Sequence, residues 1–181
     1  MKKTLLFILL LSPLSYLGYL LYNGDVSDPI KFFYTFTSIC AFVILMFTTT
    51  IPLFKKWINL LKYRKMIGLF GFFYAFLHLL NFIALDVEFD LEFFVEEVID
   101  KPFVYLGMIA FSLLLFMAIT SSKNLFKKYN KYHVALYPAI ALVTIHFIMA
   151  QKSLSIEQWW YLVIIVVIFI LKVLKKTKKL F

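Results

Sequence analysis

The chain contains one cysteine, Cys40, set inside an apolar run. A lone thiol closes no internal disulfide and builds no cysteine-based metal cluster. This argues against a self-contained membrane thiol oxidoreductase. Charge is also scarce: 16% of the 181 residues are charged and 63% are hydrophobic, whereas a soluble domain is about one quarter charged. Little polar sequence is left for a separate soluble domain. No Gly-rich nucleotide loop is present, so no flavin or nicotinamide domain is expected. Carboxylates are missing from the interior of every apolar run; all ten lie at or beyond a run's border.

Long apolar runs are what the chain does have. They cover roughly 4–22, 33–54, 66–85, 103–121, 133–150 and 158–174. About 20 apolar residues suffice for a helix to cross the hydrocarbon layer, and none of the runs alternates with the period of two that a strand requires. Backbone groups in lipid must be satisfied internally, which selects helices. The predicted fold is all-α: a polytopic bundle of six transmembrane helices, with residues 1–181 forming one membrane domain. Lys2 and Lys3 followed by Leu5–Leu11 imitate a secretory signal, but no small-residue cleavage site follows. The segment is read as an uncleaved first span.

The net charge of +9 raises the question of nucleic acid. The distribution of the charges decides against it. The N-terminus, the 55–65 and 122–132 loops and the C-terminal tail carry 16 of the 19 cations and no acid. The opposite loops carry Lys31, Lys101 and Lys152 with all ten acids. Such segregation follows the positive-inside rule and predicts both termini in the cytoplasm. Short basic loops beside a lipid bilayer are explained by topology and anionic lipid. Trp159, Trp160 and Tyr161 read as an interfacial anchor. The acidic segment after the third run is expected to form a short amphipathic helix with Leu91, Phe94, Val95 and Ile99 toward lipid.

Three histidines complete the pattern. His78 lies late in the third run; His133 and His146 stand thirteen positions apart at the start and the outer half of the fifth. The third and fifth runs cross in the same direction, so His78 and His146 are expected at matched depth. Gly68, Gly71, Ala75 and His78 share one helical stripe, as do Ala135, Ala139, Leu142 and His146. Small residues leading to two level imidazoles would give clearance for a flat disc, and imidazole is a usual axial ligand of haem iron. The same small residues also serve close helix packing, and an intramembrane histidine can relay protons. The absence of carboxylates within the runs favours haem over the relay. His133 is different: an ideal helix turns it about 140° away from His146. Spacing alone makes it an interfacial histidine. Lys101 and Lys152 are candidate cations for haem carboxylates, beside the alternative that each is an ordinary solvated lysine.

The stretches "RKMIGLFGFFYAFLH", "DKPFVYLGM" and "SSKNLFKKYNKYHVALYPAIALVTIH" together resemble the MsrQ/YedZ family, over about residues 50–155. This family lies among the ferric-reductase-like transmembrane domains. The resemblance implies haem b, one or two per chain, held by His78, His133 and His146. With three histidines a second haem would lack a full histidine pair. It also implies electron transfer across the inner membrane, from the quinone pool or a cytosolic flavin reductase, with FMN or quinone as further cofactors. The acceptor it implies is a periplasmic molybdenum-cofactor enzyme that reduces methionine sulfoxide in proteins. Tyr129 and Lys101 stand where the family usually has tryptophan and arginine. Two other readings remain: a stand-alone ferric or quinone reductase, and a cofactor-free proton-coupled transporter.

Overall fold

A computed structural model of the protein describes residues 2–24, 26–55, 59–150 and 156–177. Among these residues there is no strand. Helix α1 spans Lys2–Asn23 and α2 spans Pro29–Thr50. The latter starts where Asp28 accepts the Lys31 amide proton at 3.0 Å and Pro29 supplies a preset φ at the first helical position. Helix α3 runs Arg64–Asn81 and continues as a π-helical turn over Phe82–Asp86. Glu88 and Phe89 then adopt left-handed φ values of 52° and 62°, conformations that cost a non-glycine residue about 1 kcal/mol or more. They reverse the chain into α4, Leu91–Asp100, which Asp90 caps by accepting the amides of Glu92 and Phe93.

Helix α5 covers Pro102–Ile119, α6 covers Lys123–Tyr129, α7 covers Leu136–Ala150 and α8 covers Ile156–Thr177. Between α6 and α7 the backbone tightens to a 3-10 helix over Asn130–Ala135. Pro138, in the first turn of α7, offers no amide proton to the preceding turn, which favours such a tightened entry. Among the described residues, five helical segments are long and apolar enough to cross a membrane: Lys2–Asn23, Pro29–Thr50, Leu61–Asp86, Pro102–Ile119 and Lys123–Ala150. The apolar part of α8, Trp159–Lys172, is shorter. The protein is therefore a multi-pass helical membrane protein. Large apolar side chains such as Val43, Phe47, Ile145, Ile164 and Phe169 are exposed, as lipid-facing positions require.

Helices α2 and α3 pack along each other, as do α5 and α7, and contacts of α3 with α5 and of α2 with α7 close a four-helix core. Leu45, Leu114, Met117, Leu136 and Ala139 fill one layer between them. Tyr74 is fully buried and donates its hydroxyl proton to the Leu10 carbonyl at 2.9 Å, tying α1 to α3. Helix α4 sits on α5, with Phe94 turned inward onto Phe82 at 6.0 Å. This corrects the expectation that Phe94 faces lipid: the helix has two apolar sides, and Phe94 and Val98 pack on the bundle. Leu91, Val95 and Ile99 are exposed as expected. The charge-sorted loops also segregate, with Arg64 near His133 and Lys172, and Asp86 near Glu97 and Lys101.

Candidate haem-type site between α3 and α7

A cavity of about 350 Å³ opens between α2, α3, α5 and α7, within the roughly 300–1,000 Å³ typical of cofactor sites. His78 from α3 and His146 from α7 both line it. Their ring centres lie 6.3 Å apart. A metal–imidazole bond of about 2 Å, with the ligating nitrogen about 1.2 Å from its ring centre, would set two imidazoles sharing one iron roughly 6.4 Å apart. The observed separation of the ring centres is close to that figure.

Each ring is held by a main-chain carbonyl of another helix. His78 Nδ1 lies 3.2 Å from the Tyr34 oxygen on α2, and His146 Nδ1 lies 2.6 Å from the Phe103 oxygen on α5. A carbonyl only accepts, so Nδ1 carries the proton in both rings. Nε2 is left as the basic nitrogen, the arrangement found in metal-ligating histidines. The Tyr34 ring meets His78 edge-on at 4.3 Å. The rest of the wall is mostly apolar and includes Phe103, Val104, Phe111, Leu114 and Phe147. Phe42, also in the wall, stacks on Phe147 at 5.6 Å.

Among the described residues no three His, Cys, Asp or Glu converge as a metal cage. Two imidazoles alone under-coordinate a bare ion. A macrocycle that brings its own equatorial nitrogens completes the set, and its flat apolar body suits these walls. The residues present thus fit a haem.

The structure distributes the other expected site residues differently. Ala75 lines the cavity. Gly71 does not: a Cβ there would meet Leu45 at 2.9 Å, so Gly71 lets α2 approach α3. Ala139, fully buried, belongs to the packed layer with Leu114 and Leu136. The small-residue stripes therefore serve helix packing over most of their length and reach the cavity only near the histidines. Lys101 is bound to Glu97, four residues before it, with Nζ to Oε1 at 2.7 Å, and is absent from the cavity wall. Lys152 lies outside the described residues.

His133 stands apart from the pair. It sits on the 3-10 segment, with Nε2 3.0 Å from Thr120 Oγ1 and its ring edge-on to Phe126 at 4.9 Å. The Thr120 hydroxyl spends its proton on the Phe116 carbonyl at 2.7 Å. With that proton so placed, His133 donates from Nε2, the reverse of the other two tautomers, and Nδ1 is left as its basic nitrogen.

Sequence reasoning missed Gly107, whose missing side chain gives His146 its place, and the carbonyls of Tyr34 and Phe103. A glycine inside the otherwise bulky α5 was the available signal; backbone carbonyls leave none.

Residues 39–174 match the family described as ferric reductase like transmembrane component. The chain belongs to that family. Among curated relatives it is 40% identical over 108 residues to the magnetosome protein MamZ of Paramagnetospirillum magneticum, covering 57% of this chain and 17% of that one. It is 31% identical over 145 residues to the protein-methionine-sulfoxide reductase heme-binding subunit MsrQ of Brucella ovis, covering 77% of this chain and 66% of that protein. The MsrQ of Brucella canis matches to the same extent. The resemblance to the MsrQ/YedZ family read from the sequence is thus borne out, while the chain spans about a sixth of MamZ and just under two thirds of MsrQ. No solved structure matches this chain.

Proposed function

We propose that the protein is a b-type haem subunit that carries electrons across the bacterial inner membrane to a periplasmic molybdenum-cofactor enzyme reducing methionine sulfoxide in proteins. The observation that carries this reading is the imidazole pair: ring centres 6.3 Å apart across one cavity, each with Nδ1 on a carbonyl and Nε2 left basic. The heme-binding subunit MsrQ, similar over most of this chain, supports the choice of group. Bound here, haem iron supplies a one-electron couple.

The chain's own residues do the rest. His78 and His146 would hold the haem, each offering Nε2 from a different helix. Tyr34 and Phe103 fix the two ring orientations through their carbonyls. Phe103, Phe111 and Phe147 exclude water from the ligands. His133, near Arg64 at the other end, lies apart from the pair, on the side where the donor, quinol or a cytosolic flavin reductase, would meet the protein. In this reading α8 is the sixth span, both termini face the cytoplasm, and the acidic α4 side faces the periplasm. A stand-alone ferric or quinone reductase is the second reading; membership in the ferric-reductase-like family favours it, and it differs only in the acceptor.

The test is purification from haem-replete cells. A Soret band and a pyridine haemochrome are expected in the wild type and in His133→Ala, and are lost in His78→Ala and His146→Ala. Colourless wild-type protein rejects the haem reading. Reoxidation of the reduced protein by a periplasmic methionine sulfoxide reductase, but not by ferric chelate, selects the first acceptor over the second.

A further inference from the structure

The carbonyl of helical residue i points along the axis toward the amide of residue i+4. Side chains lean toward the helix N-terminus and cover the turn before their own Cα. The residue at i+4 therefore screens the carbonyl of residue i from donors on a neighbouring helix. The acceptors for the two imidazoles are the carbonyls of Phe103 and Tyr34. The residues four positions on are Gly107 and Ser38, and both line the cavity.

The closeness at Gly107 is quantitative. A Cβ added there would lie 2.8 Å from Nδ1 and 2.9 Å from Cε1 of His146. These are separations that real Cβ atoms do not tolerate, and Nδ1 is the atom bonded to Phe103. The imidazole occupies the space a side chain would take. Relief of the clash would swing the ring off the carbonyl. Ser38 plays the matching part on α2 in a milder way. Its hydroxyl folds back to donate to the Thr35 carbonyl at 2.8 Å and so stays off the Tyr34 oxygen, which His78 shares with the Thr37 hydroxyl at 3.2 Å.

We infer that Gly107, with Ser38 as its counterpart, is a positioning residue for the imidazole pair. Its lack of a side chain opens the Phe103 carbonyl to His146 and so locks the Nδ1–H tautomer with Nε2 as the basic nitrogen. This goes beyond the haem proposal, because it concerns the ligand-free protein as well.

With three histidines in the chain, the tautomers can be read directly. The full-length protein is labelled with ¹⁵N-histidine, produced without haem, and studied by NMR in detergent or bilayers, with assignment by single His→Gln variants. The wild type is expected to show Nδ1–H for His78 and His146 and Nε2–H for His133. In Gly107→Ala the Nδ1–H signature of His146 is lost or mixed while His78 is unchanged. In Ser38→Leu the reverse holds, and Ser38→Ala matches the wild type. His146 remaining Nδ1–H in Gly107→Ala, or Nε2–H in the wild type, overturns the inference. The wild-type spectrum carries the test if Gly107→Ala does not fold. A second arm loads haem. Gly107→Ala is expected to bind it about 10–100-fold more weakly, as loss of a partner behind a ligating histidine does. Equal affinity in the two proteins counts against the inference. Wild type that takes no haem rejects the haem proposal and leaves the tautomer result standing.

Discussion

The imidazole planes of His78 and His146 cross at 84° with their centres 6.3 Å apart. The two rings hang from different helices and answer to different carbonyls, so nothing turns them parallel. The ferric haem-loaded protein is therefore expected to give a low-spin electron paramagnetic resonance signal of strong axial anisotropy, as crossed imidazoles produce. A rhombic spectrum of parallel ligands would show that the rings turn on loading.

His133→Gln separates the third histidine from the pair. Its hydrogen bond to Thr120 and its contact with Phe126 hold the 3-10 entry to α7. Losing one such bond costs about 1 kcal/mol. The thermal midpoint in detergent is expected to fall slightly, while haem content per chain stays at the wild-type value. A halved haem content would instead make His133 a ligand of a second haem.

Gly71 and Gly68 differ in what surrounds them. A Cβ at Gly71 would meet Leu45 Cδ2 and Cγ at 2.9 Å, whereas one at Gly68 would meet Thr48 Cγ2 at 3.5 Å. Overpacking costs about 1–3 kcal/mol. Gly71→Ala is expected to lower the unfolding midpoint measurably and Gly68→Ala to leave it nearly unchanged. Equal midpoints would mean that α2 and α3 separate easily.

Lys101, half-exposed just past the end of α4, pairs with the mostly buried Glu97 four residues earlier. Ion pairs with a partner in solvent contribute about 0.2–1 kcal/mol. Lys101→Gln should thus shift stability by about that much and leave the haem midpoint potential unmoved. A clear potential shift would restore Lys101 as a partner of the haem carboxylates.

Much of this architecture was legible along the chain. The apolar runs mark the helices, and the sorted charges mark their ends. His78 and His146 were readable as a level pair because depth along a helix is residue count times rise. Rotation about the axis was less legible. Gly71 and Ala139 share a stripe with the histidines, yet they face helix neighbours instead of the cavity. Phe94, counted as lipid-facing, packs on Phe82.

The physical reason is that local sequence sets the helical period and the solvent a segment prefers, and both are properties of one helix at a time. Membrane class, helical content and the depth of each imidazole follow from these alone. Which carbonyl receives His146, why Gly107 must be bare, and why His133 takes the opposite tautomer depend on atoms brought from helices about forty residues or less apart in the chain. Only packing of α2, α3, α5 and α7 against one another decides those contacts, because only packing fixes how far each helix is turned.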